Sequence, residues 1–314
     1  MTQDLSNSSD LLFSFIFNQR PIRGVMVKLD QVIKTILAQR DYPPAIQTLL
    51  SEALVAVVLL FNLSKERGKI TLQFQNNQNN QNNREQNNST SFIQLLSVQC
   101  THDCKLRALA QWTNSPPADL SFLELLGPDG KLVMTYQSES SMDRFQSIIP
   151  LTGDSLSDSM RAYFCQSDQL QTFLKISVSN QKNQAGQKAA GILLQRMPDI
   201  NTLENLENED HFAHVSVLAN TLTDQELLED RPENLLYKLF NEDPILAFEP
   251  RTLYFGCTCS IDKMRNAILL MGREESFKIL DGADGKDSIE VLCEFCQRNY
   301  AFSRTEVEKL FKNN

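Results

Sequence analysis

The sequence predicts an α+β fold: a large, mostly antiparallel N-terminal α+β domain, an acidic helical linker and a small cysteine-paired C-terminal domain. Three observations carry that prediction. Short strand-like runs recur through the first two-thirds of the chain, punctuated by turn residues and by few helical patterns. The acidic side chains concentrate in one segment, with thirteen Asp/Glu against two Lys/Arg over residues 199–250. The remainder, residues 251–314, balances ten acids against ten bases and holds two close-set cysteine pairs. The expected domains are therefore 1–198, 199–250 and 251–314.

In the first domain, residues 13–17 and 22–27 read as short strands flanking Arg20-Pro21. Leu29, Val32, Ile33, Ile36 and Leu37 then recur at helical spacing on one face. Asp41-Tyr42-Pro43-Pro44 ends that helix and opens another over 45–63, which is apolar nearly all round and so is expected to be buried on several sides. Residues 70–75 alternate as a strand. The tract from Gln75 to Asn88 is Asn or Gln at twelve of fourteen positions. It has too little apolar surface to order itself and reads as a floppy hairpin extension without a function of its own. Strands are expected at 92–99, 105–112, 132–136, 144–149 and 174–178, with a helix near 156–164 and the clearest turn at Gly127-Pro128-Asp129-Gly130. Strands joined by such turns pair antiparallel. An apolar stretch at 191–197 closes the domain before Pro198.

In the acidic segment, Thr223-x-x-Glu226 is a capping box that opens a helix at 224–229, and Pro232 stands near the start of a second. Leu235, Leu236, Leu239 and Phe240 form one apolar stripe, suited either to packing on a neighbouring domain or to gripping other proteins. Few other core residues are evident, and the crowded carboxylates repel one another. The segment is expected to be only marginally folded on its own.

The formal net charge of −9 argues against nucleic acid as the main partner. The acidic start, Met1-Thr-Gln-Asp4, and the short apolar patch at 11–17 do not make a secretory signal. The longest apolar run, 53–61, falls well below the ~20 residues a bilayer requires. A soluble, cytoplasmic protein is expected, and its seven cysteines are then reduced and read as metal ligands or redox sensors.

No catalytic constellation emerges, and the protein is not expected to be an enzyme. His102, His211 and His214 are the only histidines and read as packing or surface residues. Gly282-Ala-Asp-Gly285-Lys286 has the wrong spacing for a phosphate loop, and Asp284-Gly285 reads as a turn. Cys100-Thr-His102-Asp-Cys104 is either a second metal cluster or two thiols near a hairpin tip. Cys165, beside Tyr163 and Phe164, is expected to be a small buried hydrophobe.

That leaves Cys257-Thr-Cys259 and Cys293-Glu-Phe-Cys296, separated by thirty-three residues. Two thiol pairs bracketing one small unit are what a tetrahedral thiolate zinc site requires, with Cys257, Cys259, Cys293 and Cys296 as ligands to one Zn2+. A permanent structural clip is one use of such a site. A redox switch is the other, because metal-bound cysteines are thiolates and thiolates are the oxidisable form. Structural zinc contributes about 10–16 kcal/mol, whereas a whole domain has a net stability of about 5–15 kcal/mol. Loss of the metal should therefore unfold the terminal unit.

The Cys-x-Cys and Cys-x-x-Cys arrangement resembles the heat shock protein 33 family, the 33 kDa chaperonins. The likeness extends over Arg23-Gly24, Asp41-Tyr42-Pro43, Glu52-Ala53-Leu54-Val55-Ala56, Gly68-Lys-Ile70-Thr71-Leu-Gln73, the Ala189-to-Pro198 stretch with Gly191 and Met197, and Asp210-His211. The resemblance implies a dimerising N-terminal domain, a metastable linker and a zinc-binding redox switch. It implies a holdase that is inactive when reduced and zinc-bound. On oxidation it forms Cys257–Cys259 and Cys293–Cys296 disulfides, releases zinc, unfolds its linker and binds unfolding client proteins without ATP. The 75–88 tract stands where relatives have a compact turn, and Cys100, Cys104 and Cys165 lie outside the motif. Two other readings compete. A zinc-ribbon nucleic-acid module requires a basic face. A thiol–disulfide oxidoreductase requires Cys293-x-x-Cys296 at a helix start inside a βαβ pattern.

Overall fold

Phenylalanine at every second position, Phe13, Phe15 and Phe17, lays an apolar row along one face of an extended segment while Leu12 points to the other. In the computed structural model of the protein this alternation opens the fold. The structure describes residues 9–18, 20–64, 67–76, 91–117, 120–127, 130–141, 143–168, 170–179, 187–198, 205–282 and 287–312. Most of the Asn/Gln tract, the middle of the 127–130 turn and residues 283–286 lie outside the described residues. The chain divides into two units, Met1–Phe255 and Gly256–Asn314.

In chain order the first unit begins with β1 (Leu11–Phe17), β2 (Ile22–Leu29), α1 (Gln31–Leu37), α2 (Pro44–Leu63), β3 (Gly68–Asn76), β4 (Ile93–Thr101) and β5 (Lys105–Trp112). It continues with α3 (Phe122–Leu126), β6 (Gly130–Ser138), β7 (Arg144–Ile149), α4 (Leu156–Tyr163), a π-helical turn, β8 (Thr172–Val178) and β9 (Ala189–Arg196). The acidic segment supplies α5 (Asn205–Asn220), α6 (Asp224–Glu229), α7 (Pro232–Phe240) and β10 (Ile245–Ala247), followed by β11 (Arg251–Thr252) and β12 (Tyr254–Phe255). The second unit contains α8 (Ile261–Met271), α9 (Arg273–Leu280), β13 (Ser288–Leu292), β14 (Asn299–Ser303) and α10 (Arg304–Lys312).

Two sheets make the first unit. One runs β10-β1-β2-β9-β8 with β11 also on β1; the other runs β12-β5-β4-β3-β6-β7. All pairings are antiparallel except β12 on β5, which matches the expected architecture. The central helix α2 packs against strands of both sheets. It is long and apolar enough to cross a membrane by composition, but here it is the buried core helix.

The first sheet is apolar on both faces, and the period of two sorts its side chains. Leu12, Val25, Val27, Leu29, Ala189 and Leu193 join the core around α2. Phe13, Phe15, Phe17, Ile22, Met26, Ile192 and Leu194 join a second core with the acidic helices. Two glycines permit these close approaches. A Cβ on Gly191 would stand 2.5 Å from Val55 of α2, and one on Gly24 would stand 2.0 Å from the Phe15 ring.

The acidic segment is therefore richer in core residues than its sequence suggests. Phe212, Val215 and Ala219 of α5, Leu227 of α6, and Leu235, Leu236, Leu239 and Phe240 of α7 are all buried. The α7 stripe packs on the sheet, with Phe240 5.2 Å from Phe17 and 6.4 Å from Phe15 between ring centroids. The capping box forms as expected, Thr223 and Glu226 each bonding the other's backbone N–H. β10 was not legible; it adds to the edge of β1, with Phe15 opposite Ala247.

Cys165 corrects an expectation: it is exposed, not buried. Tyr163 and Phe164 continue the buried face of α4, and the next position falls on the opposite, exposed face at the start of the π-helical turn Phe164–Asp168. The three histidines meet expectation. His102 Nδ1 lies 2.9 Å from Glu139, and His211 Nε2 lies 3.2 Å from Asp243 with its ring edge-on to Phe17.

One carboxyl in the core of the first unit titrates unusually. Burial pushes Glu52, on α2, up to about 7. An acid whose folded-state pKa is raised binds its proton more tightly when folded, so stability is lost as pH rises from the ordinary carboxylate range through 7. Glu52→Gln is expected to leave stability nearly unchanged near pH 4.5 and to raise it by roughly 3 kcal/mol at pH 8, as urea denaturation would measure.

Candidate metal centre

The second unit has a small core. Ile268, Leu280, Ile289, Phe302 and Val307 form its buried apolar cluster. Its four cysteines come from two local structures. Cys257 and Cys259 lie between β12 and α8, whose N-cap Ser260 accepts from the Lys263 N–H. Cys293 and Cys296 occupy the turn of the β13–β14 hairpin. There Cys293 N–H donates to Arg298 O at 2.9 Å and Gln297 N–H donates to Cys293 O at 2.8 Å. Gln297 closes the turn in the left-handed region at φ 55°. The Cys-x-x-Cys pair thus sits in a hairpin turn and not at a helix start, contrary to what the oxidoreductase reading requires.

The four sulfurs lie within 4.8 Å of one another. Cys257 Sγ is 3.6 Å from Cys293 Sγ, and Cys259 Sγ is 3.5 Å from Cys296 Sγ. Tetrahedral thiolate coordination with Zn–S bonds of about 2.3 Å places its sulfurs about 3.8 Å apart, so the donor set fits zinc in spacing as well as in number. Tyr300, on β14 opposite Val291, donates its hydroxyl to Cys259 Sγ at 3.1 Å. Nothing in the cysteine spacing pointed to Tyr300; its place on the returning strand did the positioning.

Packed this closely, Cys257, Cys259 and Cys296 hold their protons unequally. Burial raises Cys259, but hydrogen bonds from Tyr300 and the other three thiols bring it down to about 7. Cys296 is pushed up to about 12 by burial and then by its neighbouring sulfurs, and burial also raises Cys257. Four adjacent thiolates repel one another, and a dication at the centre is what allows all four to ionise.

Among the described residues this is the one group of three or more metal-capable side chains drawn together. Cys100 and Cys104 are buried beside the β4–β5 turn, and burial pushes both thiols up, Cys100 further than Cys104. His102 is engaged with Glu139, so Cys100, His102 and Cys104 do not form a second cluster.

The Hsp33 protein family profile matches residues 10–303. The 33 kDa chaperonin of Neisseria meningitidis serogroup A is 35% identical over 313 residues, covering 99% of this chain and 94% of that one. The 33 kDa chaperonin of Nitrosococcus oceani is 35% identical over 305 residues, covering 97% and 95%. The crystal structure of the 33 kDa chaperonin from Thermotoga maritima shares the fold, with a TM-score of 0.77 at 19% identity, covering 96% of this chain and 98% of that one. The fold and these relatives define the protein as a molecular chaperone. The chain belongs to the Hsp33 family.

Two outcomes test the ligand assignment. Cys293→Ser should lose bound zinc, and a variant retaining stoichiometric metal by atomic absorption would contradict it. Tyr300→Phe should retain zinc but surrender it to a competing chelator about tenfold more readily, because outer partners of metal ligands typically contribute that much.

Proposed function

We propose that this chaperone is a redox-regulated, ATP-independent holdase that binds unfolding proteins and prevents their aggregation under oxidative stress. The observation that carries the reading is four sulfurs within 4.8 Å in a unit whose buried apolar cluster has five members among the described residues. Bound there, one zinc ion per chain would cross-link both halves of a unit too poor in core to hold itself. The reduced state is the inactive one.

Oxidation acts on the ligands themselves. Peroxide takes two electrons from the Cys257 and Cys259 thiolates and two protons from solvent and leaves as two waters as the sulfurs bond; Cys293 and Cys296 react in the same way. All four donors are then gone, and the second unit melts. Pairing between near neighbours follows the family.

The chain preceding this unit is the acidic segment. Its helices cover Phe13, Phe15, Phe17 and Met26 with their own Leu235, Leu236 and Phe240. Detachment of these helices uncovers apolar surface on both sides of that contact, which is the chemistry an unfolding client recognises. The division of labour is then 1–198 for self-association into a homodimer and client binding, 199–250 for the releasable cover and 251–314 for the switch. A reducing cytoplasm suits thiols that must remain ligands until challenged. The net charge of −9 suits neither nucleic acid nor an anionic membrane as partner.

Peroxide with mild heat should release zinc, lower far-UV helicity and switch on suppression of client aggregation together. Peptide mapping should then find Cys257 joined to Cys259 and Cys293 to Cys296. A protein that loses zinc yet keeps its helicity and ignores a denatured client would refute the reading.

A further inference from the structure

The acidic helices are held to the first sheet by two lysines as well as by apolar contact. Lys175 of β8 donates to the carbonyl of Leu222 just before α6, and Lys28 of β2 donates to the carbonyl of Asp230, the C-cap of α6. Ser177 adds a bond to Asp224 at 2.8 Å. The short helix α6 is thus tied at both ends by side chains from the sheet.

The two ties differ in their surroundings. Lys28 lines a cavity of about 260 Å3 whose walls come from the end of β2, the start of β9 and the α6–α7 turn. Two further cations, Lys188 and Arg231, line it. Four carboxylate residues also face it: Asp30, Glu229, Asp230 and Glu233. Asp30 is paired with Lys34 at 2.7 Å, and Glu229 accepts from Gln225 at 3.2 Å. Glu229, Arg231 and Glu233 are exposed, so the cavity reaches solvent.

We propose that Lys28 is a covalent modification site, acylated by small acyl phosphates that enter this cavity, and that acylation unlatches the α6–α7 turn from the sheet. The uncharged Nζ attacks the carbonyl carbon of the acyl phosphate. The bond from that carbon to the phosphate oxygen breaks, and the departing phosphate takes the bonding pair and the proton the nitrogen sheds. The products are an Nζ-acyl-lysine and inorganic phosphate. Lys188 and Arg231 are placed to receive the phosphate group. The cavity is large enough for a small donor.

The amine's protonation state supports this chemistry. Burial lowers Lys28 to about 8, with Lys188 adding to the effect and Asp230, Glu229 and Glu233 opposing it. At pH 7 such an amine is uncharged in about one molecule in ten, against about one in 2,500 for an ordinary lysine. Acylation then removes the positive charge that Asp230's carbonyl accepts from and adds bulk inside the contact. Any consequence for client binding rests on the holdase reading; the modification and the unlatching do not.

The full-length reduced protein, treated with acetyl phosphate between pH 6.5 and 9, tests this by peptide mass spectrometry and hydrogen–deuterium exchange. At pH 7 Lys28 should be acetylated at least about tenfold faster than exposed Lys131, with a pH midpoint near 8. Amides of α6 and α7 in the treated protein should exchange at least roughly threefold faster than in Lys28→Arg treated identically. Lys28→Gln should reproduce the faster exchange untreated. Acetylation of Lys28 no faster than of Lys131, or acetylation without faster exchange in α6 and α7, overturns the proposal. Neither readout involves a client protein, so it stands or falls separately from the holdase reading.

Discussion

A sheet that is apolar on both faces must be covered twice. In the first unit the strands β1, β2, β8 and β9 carry hydrophobic side chains at both odd and even positions, and each parity has its own cover. Val25, Val27 and Leu193 meet α2, while Phe15, Met26 and Ile192 meet the acidic helices. The covers are chemically unlike. α2 carries a single ionisable residue, Glu52, and lies between two sheets. The other cover holds most of the thirteen carboxylates of residues 199–250 and has the sheet on one side only. Burial of apolar area favours both, but only the second works against its own charge. The same sheet is thereby covered once without opposing charge and once against it.

The acidic cover is ordered where it sits, and polar ties add to its apolar contacts. Glu226 is held down to about 2, chiefly by Lys238 of α7 and then by its capping partner Thr223, so α6 and α7 are fastened to each other as well as to the sheet. His211 and Asp243 join the middle of α5 to the residues after α7. The Lys238–Glu226 contact is open to solvent and worth little alone, whereas the His211–Asp243 pair is largely covered. The segment's fold therefore leans chiefly on its docked apolar stripe, as the proposed release requires.

Much of this was legible because the informative signals are local. The Phe13–Phe15–Phe17 alternation, the Thr223–Glu226 capping box, the Leu235–Phe240 stripe and the cysteine spacing each need only a few neighbouring residues to be read. What was missed is non-local. Asp10 caps α1 from across the hairpin, accepting from the backbone N–H groups of Asp30, Gln31 and Val32. β10 becomes a strand because β1 offers it an edge, and a three-residue segment has no periodicity of its own. Cys165 was misread because neighbours in sequence do not share a helix face: Tyr163 and Phe164 continue the buried stripe of Leu156 and Met160, and the next position falls opposite it. Tyr300 reaches Cys259 only because β14 folds back on β13.

The sulfur geometry bears on how a four-thiol centre works as a switch at all. The contacts at 3.6 and 3.5 Å run between the halves of the unit, Cys257 to Cys293 and Cys259 to Cys296. Disulfides along those contacts would preserve the very cross-link that a bound zinc would supply, closing loops of more than thirty residues and constraining the unfolded chain. Oxidation would then stabilise the unit and leave it silent. Disulfides between near neighbours do the opposite: they consume the same four donors, close only tiny rings and leave the halves unlinked. A Cys-x-Cys ring is strained and readily re-reduced, which suits a reversible device. The same four thiols can therefore form either a lock or a release, and the proposed activity requires that the near-neighbour pairs form faster than the cross pairs that the folded centre holds in contact.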